Sequence, residues 1–182
     1  MKMKERQVTL KNGTAISLKS IGENDAPLVI NFLKSVISDT PTLSHTPAEI
    51  NSLDLKIQRG VLMDYERSKR KIMVGAYLEG KILANCTVTE VSNKSKYRHR
   101  AEIGISVMRE YWNLGIGSAL MQTAFDFASM VGYEQLELEI AADNTNGIVL
   151  FDKFGFKTVG LVPHAQKYNG QYFDFLRYVK YL

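Results

Sequence analysis

The sequence predicts an α/β or α+β domain built on a mixed sheet flanked by helices. Three observations carry this: apolar strand pairs punctuated by Asn12-Gly13 and Glu79-Gly80, an amphipathic helical run from Gly117 to Val131 between short strands, and a closing strand joined through Asn169-Gly170. Strands before and after the central helices leave a sheet with both parallel and antiparallel neighbours.

Each element has a local cause. Val8 to Leu10 and Ala15 to Leu18 flank Asn12-Gly13, which supplies two positive-φ residues for a tight hairpin turn. Asn24 or Asp25 caps a helix whose first turn contains Pro27, with Leu28, Ile30, Phe32, Leu33 and Val36 as its apolar content. Thr46-Pro47-Ala48-Glu49 is a capping box with proline at the first helical position, so a second helix starts there, and Gly60 is its expected break. Two helices therefore follow the first hairpin. Ile72 to Leu78 and Lys81 to Val91 read as a second hairpin, and Glu102 to Val107 as a further strand. Between them, Asn93 to Arg100 carries Lys94, Lys96, Arg98, His99 and Arg100, either a solvated loop or a phosphate-contacting arm. From Gly117, the residues Leu120, Met121, Ala124, Phe125, Ala128 and Val131 recur at helical spacing up to Gly132. Gln135 to Ala142 is a strand, Asn146 to Phe154 a short helix closed by Gly155, and Phe156 to Leu161 and Tyr172 to Tyr181 are the last strands.

The chain has 182 residues, which fits one domain over residues 1–182. With 45% hydrophobic and 23% charged residues it is neither disordered nor fibrous. Met1 to Gln7 are polar and basic with no apolar block after them, and no run nears the roughly 20 apolar residues of a membrane span. A cytoplasmic protein with no membrane partner is expected. Cys86 is the single cysteine, which forbids an internal disulfide, and it reads as a small core residue because no histidine is placed to activate it. His45, His99 and His164 are too dispersed for a local metal motif, so no metal is expected. A net charge of +4 suits an anionic ligand but lacks the density of a nucleic-acid binder.

The segment richest in chemistry runs from Glu102 to Ser118: a strand, a loop through Arg109 to Leu114, then Gly115-Ile116-Gly117-Ser118 opening a helix. Glycines there let an anion approach backbone N–H groups that have no intrahelical partner, and the helix dipole favours it. A dinucleotide fingerprint would want a small residue where Leu120 stands, and no Gly-Lys-Ser/Thr is present for a P-loop. By itself the turn is equally a structural glycine turn or a ligand site.

Strand, glycine turn, helix, strand, Asn144, short helix and Gly155-Phe156 together resemble the GNAT superfamily of acetyl-CoA-dependent N-acyltransferases, most closely from Ala101 to Phe156. The family's turn pattern, Arg or Gln, two variable residues, Gly, one variable residue, Gly or Ala, is met at Gly115 and Gly117, with Trp112 in the first place. Its later block is met by Asn144, Leu150, Gly155 and Phe156, while Gly147 stands for Ala and Phe151 for Tyr. That tyrosine is the proposed proton donor in many members, and Phe151 has no proton to give. The ending Lys167 to Asp174 is similar to that of bacterial amino-acid N-acyltransferases, including the phosphinothricin-acetylating type.

The resemblance implies a GNAT-like, mostly antiparallel sheet and an acetyl-CoA site between strand Glu102 to Val107 and strand Gln135 to Ala142. Backbone groups of Ile105, Ser106 and Val107 would hold the acyl arm, with the Val107 N–H as oxyanion donor, and Leu114, Gly115, Ile116, Gly117 and Ser118 would take the diphosphate. Asn144 and Phe151 would line the arm; as local features, Ser118 is equally a helix cap and Asn144 an Asx turn. Glu102 is the leading base candidate and Glu139 its rival, with solvated edge charge as the plain alternative for Glu137 and Glu139. Tyr168 and Tyr172 flank the last turn as possible donors or as hairpin packing. The acceptor, a small-molecule primary amine, would enter between Ser38 to His45 and the C-terminal hairpin, where Asp39 either attracts it or is a plain loop charge. Competing readings are a non-catalytic acyl-CoA sensor, an acetyltransferase for polyamines or protein N-termini, and a nucleic-acid module on the basic loop. Superfamily members often pair, so a homodimer is an expectation too.

Overall fold

The computed structural model describes residues 3–40 and 42–182. Eight strands form one sheet in the order β1 (Arg6–Thr9), β2 (Ala15–Ser20), β3 (Ile72–Leu78), β4 (Lys81–Glu90), β5 (Arg100–Val107), β6 (Gln135–Ala141), β8 (Gln171–Tyr181), β7 (Lys157–Tyr168). Every neighbouring pair is antiparallel except β5 and β6. A parallel pair needs a crossover, and α4 (Ile116–Val131) supplies it. The mixed, mostly antiparallel sheet is therefore as expected.

Two faces of the sheet bury different helices. On one, α1 (Ala26–Asp39) and α3 (Leu55–Arg67) pack Val29, Phe32, Val36 and Leu62 against Met73, Tyr77 and Ile82. On the other, α4 and α5 (Thr145–Lys153) cover the larger core, with Leu120, Met121 and Phe151 against Cys86, Val88, Ile103 and Leu136. Phe156, fully buried just after α5, stacks on Phe125 at 6.2 Å and meets Phe151 edge-on at 5.5 Å. It ties both helices to the sheet.

Local chemistry sets the element ends, with three departures from expectation. The first turn spans Leu10 to Thr14 rather than two residues: only Gly13 takes a positive φ, and Asn12 instead accepts the Thr14 N–H on its side chain at 3.1 Å. The capping box at Thr46 starts only the five-residue α2 (Pro47–Asn51), because the Asp54 carboxylate takes the N–H groups of Lys56 and Ile57 and restarts the chain as α3. Three helices, not two, thus follow the first hairpin, and Gly60 lies inside α3. Lastly, β6 is interior, between β5 and β8, so Glu137 and Glu139 are not edge charges. The turns at Glu79-Gly80 and Asn169-Gly170 both adopt paired positive φ, and Gly132 closes α4 at φ 80°.

Phe156→Ala is expected to lower stability by about 3–5 kcal/mol, read as a reduced urea midpoint at unchanged slope, because it opens a void against Phe125 and Phe151.

Candidate active site

Strand pairing alone creates the central feature. In an antiparallel ladder, successive residues turn their N–H and C=O groups alternately toward and away from the partner. Met108 N–H to Leu83 O and Val91 N–H to Arg100 O fix the phase, so even-numbered β5 residues pair with β4 and odd-numbered ones face β6. His99 O accepts from Glu134 and Gln135, but the β5–β6 ladder has only three rungs and ends at Glu102 opposite Glu137. Each strand keeps its outer partner for seven rungs, β5 with β4 and β6 with β8, so the two separate as a V. The peptide groups of Ile103, Ile105 and Val107 face the opening from one side and those of Glu139 and Ala141 from the other. Ser106, by contrast, spends its backbone groups on Asn85 of β4.

The glycine turn stands at the mouth of this V. Gly115 holds φ 98°, and the first α4 hydrogen bond runs from Ala119 N–H to Gly115 O. The N–H groups of Ile116, Gly117 and Ser118 accordingly have no acceptor among the described residues, and no side chain caps the helix. Lys11 N–H binds Leu114 O at 3.1 Å, so Leu114 anchors the turn to the first hairpin and does not line the opening. Trp112, at the family's Arg/Gln position, donates its indole N–H to Val107 O at 2.7 Å and ties the loop to the end of β5. Ser118 is no cap; its hydroxyl meets Lys153 Nζ at 3.2 Å. Asn144 caps α5, accepting the Gly147 N–H at 3.0 Å. A Cβ on Gly117 would sit 3.0 Å from Leu150, so that glycine also serves α4–α5 packing.

On the α1 face of the V lie three carboxylates. Arg100 grips Glu137 through two hydrogen bonds of 2.8 and 2.7 Å, and Arg177 of β8 binds Glu139, with its Nε at 3.0 Å. Glu102 accepts no hydrogen bond from any described residue. Burial holds its pKa above the usual carboxylate range, and the charges of Glu137 and Glu139 add to that. It stands at the vertex, on the last rung, while Glu139 lines the opening itself.

The opening is a cavity of about 640 Å³ bounded by β4, β5, β6, the α4 turn, α5, the end of α1 and the C-terminal hairpin. Ile105, Ser106, Val107, Gly115, Ile116, Gly117, Ser118, Glu139, Asn144 and Phe151 all line it. Sequence reasoning missed Lys11 and Lys153, which bring positive charge to the turn, and Asn85, Thr87 and Gln166, which no local pattern marks. Thr40, Thr42 and Ser44 line the wall from the loop after α1, whereas Asp39 is exposed outside it. Tyr168 packs on Ala141, Phe173 and Phe175, and Tyr172 stacks on His164 at 4.4 Å. Neither tyrosine borders the cavity. The basic loop is at the opposite end of β5 from the glycine turn, so it forms no phosphate arm there. Cys86 is buried in the core, its thiol pushed up to about 12 by burial. Among the described residues no helix is long and apolar enough to cross a membrane.

Comparison with known proteins agrees with this geometry. The model of the acetyltransferase (GNAT) domain family matches residues 19–176. The L-amino acid N-acetyltransferase AaaT of Escherichia coli (strain K12) is 28% identical over 100 residues, covering 54% of this chain and 61% of that protein. The chain thus spans under two thirds of that relative's length. Among solved structures, the GNAT-family acetyltransferase from Streptococcus pneumoniae superposes with a TM-score of 0.85 at 24% identity, covering 92% of this chain and 99% of that one. The Salmonella typhimurium acetyltransferase yncA, solved with its cofactor acetyl-CoA, gives 0.79 at 15% identity over 92% and 94%. At these identities the two structures establish the fold.

Glu102→Gln is expected to stabilise the protein near neutral pH. The raised pKa means the folded state binds more protons than the unfolded one. The contribution of protonated Glu102 is full below its unfolded pKa and is lost as pH rises through the higher folded value. Melting temperatures of the two proteins should therefore coincide at pH 4 and diverge in favour of Gln by pH 8. In the native protein, Cys86 should react with a disulfide reagent far more slowly than in urea.

Proposed function

The chain belongs to the GNAT acetyltransferase family, and on that premise we propose that it is an N-acetyltransferase moving an acetyl group from acetyl-CoA directly to a primary amine of a small molecule. The observation that carries this is the join of two sets of unpaired backbone groups: odd-numbered peptide units of β5 inside the V, and three bare N–H groups at the α4 N-terminus at its mouth. A diphosphate suits the second set, with Lys11 and Lys153 adding charge, and an amide-bearing acyl arm suits the first. The E. coli relative, named for L-amino acids, favours a small acceptor.

In the proposed reaction the amine lone pair forms a C–N bond to the acyl carbon, the C–S bond breaks, and its electron pair leaves on sulfur. Val107 N–H donates to the carbonyl oxygen as negative charge gathers there. Glu102, ionised and without an arginine of its own, takes the proton released from nitrogen through a water. A base matters most for an alkylamine, which costs about 4.6 kcal/mol to neutralise at pH 7, against about 1 kcal/mol for an α-amino group. Phe151 gives no proton to the departing sulfur. If that thiol resembles cysteine, leaving unprotonated costs about 2 kcal/mol, a penalty that turnover tolerates. A sensor that binds without turnover is the reading Phe151 alone would favour, and thiol release separates the two.

Glu102→Gln is expected to cut kcat by roughly 10²–10⁴-fold while leaving coenzyme A affinity by calorimetry unchanged. The wild-type rate should fall on the acid side through a pKa above the usual carboxylate range, since only ionised Glu102 accepts the proton. Gly115→Ala forces a Cβ onto a φ of 98° and should instead weaken coenzyme A binding. No heat with coenzyme A or its thioester would overturn the proposal.

A further inference from the structure

The cavity divides by charge along its length. Its two cationic lining residues among those described, Lys11 and Lys153, both belong to the α4 turn, one through its N–H on Leu114 and the other through its Nζ on Ser118. On the α1 face the balance reverses. Glu139 lines the cavity, Glu102 and Glu137 stand beside it at the vertex, and the two arginines there are already engaged by Glu137 and Glu139. Among the described residues, that face holds one uncompensated negative charge and no cation free to receive another.

Its floor is polar but neutral. Asn85 sits opposite Ser106 and Thr87 opposite Gly104 on alternate rungs of β4 and β5, all with side-chain positions on the α1 face, opposite Cys86 and Val88. Asn85, Thr87 and Ser106 are only partly exposed, and their side chains make no hydrogen bond to any described residue. A Cβ at Gly104 would stand 3.0 Å from the Thr87 hydroxyl, so glycine keeps that group uncovered. Unused hydroxyl and amide groups at a cavity floor bind ligand groups that both donate and accept.

We infer that the acceptor is a primary amine bearing neutral hydroxyl groups and no carboxylate, an amino alcohol or amino sugar, received by Asn85, Thr87 and Ser106 beside Glu102 and Glu139. The inference rests on the acetyltransferase reading and narrows it. A free amino acid would bring its carboxylate toward Glu102 at the vertex with no unpaired arginine or lysine among the described lining residues on that face to neutralise it, and like charges repel. In this respect the chain parts from its relative named for L-amino acids.

The test compares methionine with methioninol, whose amines differ little in basicity, and adds glucosamine as the polyhydroxylated probe. Thiol release from acetyl-CoA is measured for each, and binding of each to protein saturated with coenzyme A is measured by calorimetry. The alcohol is expected to exceed the acid by at least about tenfold in kcat/KM and to bind more tightly, and Glu139→Gln should narrow the gap by freeing Arg177 to receive the acid. Thr87→Val should weaken methioninol binding while coenzyme A affinity, the control for folding, is kept. Methionine binding as tightly as methioninol, or neither amine nor sugar binding, overturns the inference. Preferential binding of the alcohol without thiol release supports it and overturns the catalytic reading instead.

Discussion

Backbone pairing is the constraint from which the rest of this molecule follows. A buried N–H or C=O left without a partner is costly, and sheets exist largely to avoid that cost. Here β5 and β6 pair for three rungs and then part, each held by its outer neighbour, β4 on one side and β8 on the other. The fold thereby keeps a row of peptide groups open in its interior, next to helix N–H groups that are open for a separate reason, the geometry of a helix start. Trp112 relieves one of them by binding Val107 O, which fixes the strand end without closing the V. The aromatic packing of Phe125, Phe151 and Phe156 on the α4 and α5 side braces the same opening.

Electrostatics adds direction to that opening. Positive charge gathers at the α4 turn and negative charge at the vertex, so the two ends differ in the sign of the charge they present. Three glutamates on neighbouring rungs would repel one another severely if all were bare. Arg100 and Arg177 each hold one, leaving Glu102 alone with a raised pKa. The two ion pairs are partly exposed and contribute little stability in themselves. Their larger effect is to leave Glu102 as the one of the three without an arginine. Glu139, the rival candidate, lines the cavity but is held by its arginine.

Local features were legible in the sequence wherever a single short-range rule governs. Paired positive-φ turns at Glu79-Gly80 and Asn169-Gly170, the glycine stop at Gly132, and the apolar stripe of α4 were read from a handful of neighbours. Asn12-Gly13 misled because an Asx hydrogen bond competed with the tight turn, and Gly60 misled because the stronger cap lay upstream at Asp54. The glycine turn and the strand before it were readable as a helix start with open N–H groups, since both depend on contiguous residues. What pairs with Glu137 or Glu139, by contrast, lies 37 and 38 residues away, and Lys11 reaches the turn from the first hairpin. No pattern in the sequence encodes those meetings; only the strand order brings them about.

Phe151 shows how a departure from a family pattern is absorbed physically. Its ring is buried, edge-on to Phe156 at 5.5 Å, so the position is given over to packing between α5 and the core. A phenol there would gain a proton to donate, but its hydroxyl would need a partner at a largely apolar junction. Forgoing the donor costs the reaction only what an unprotonated thiolate costs, about 2 kcal/mol for a cysteine-like group at pH 7. Forgoing the base would cost more for any acceptor that arrives fully protonated. Selection for turnover with alkylamines would therefore hold Glu102 more firmly than a hydroxyl at position 151, and a chain that keeps the first and lacks the second is chemically coherent.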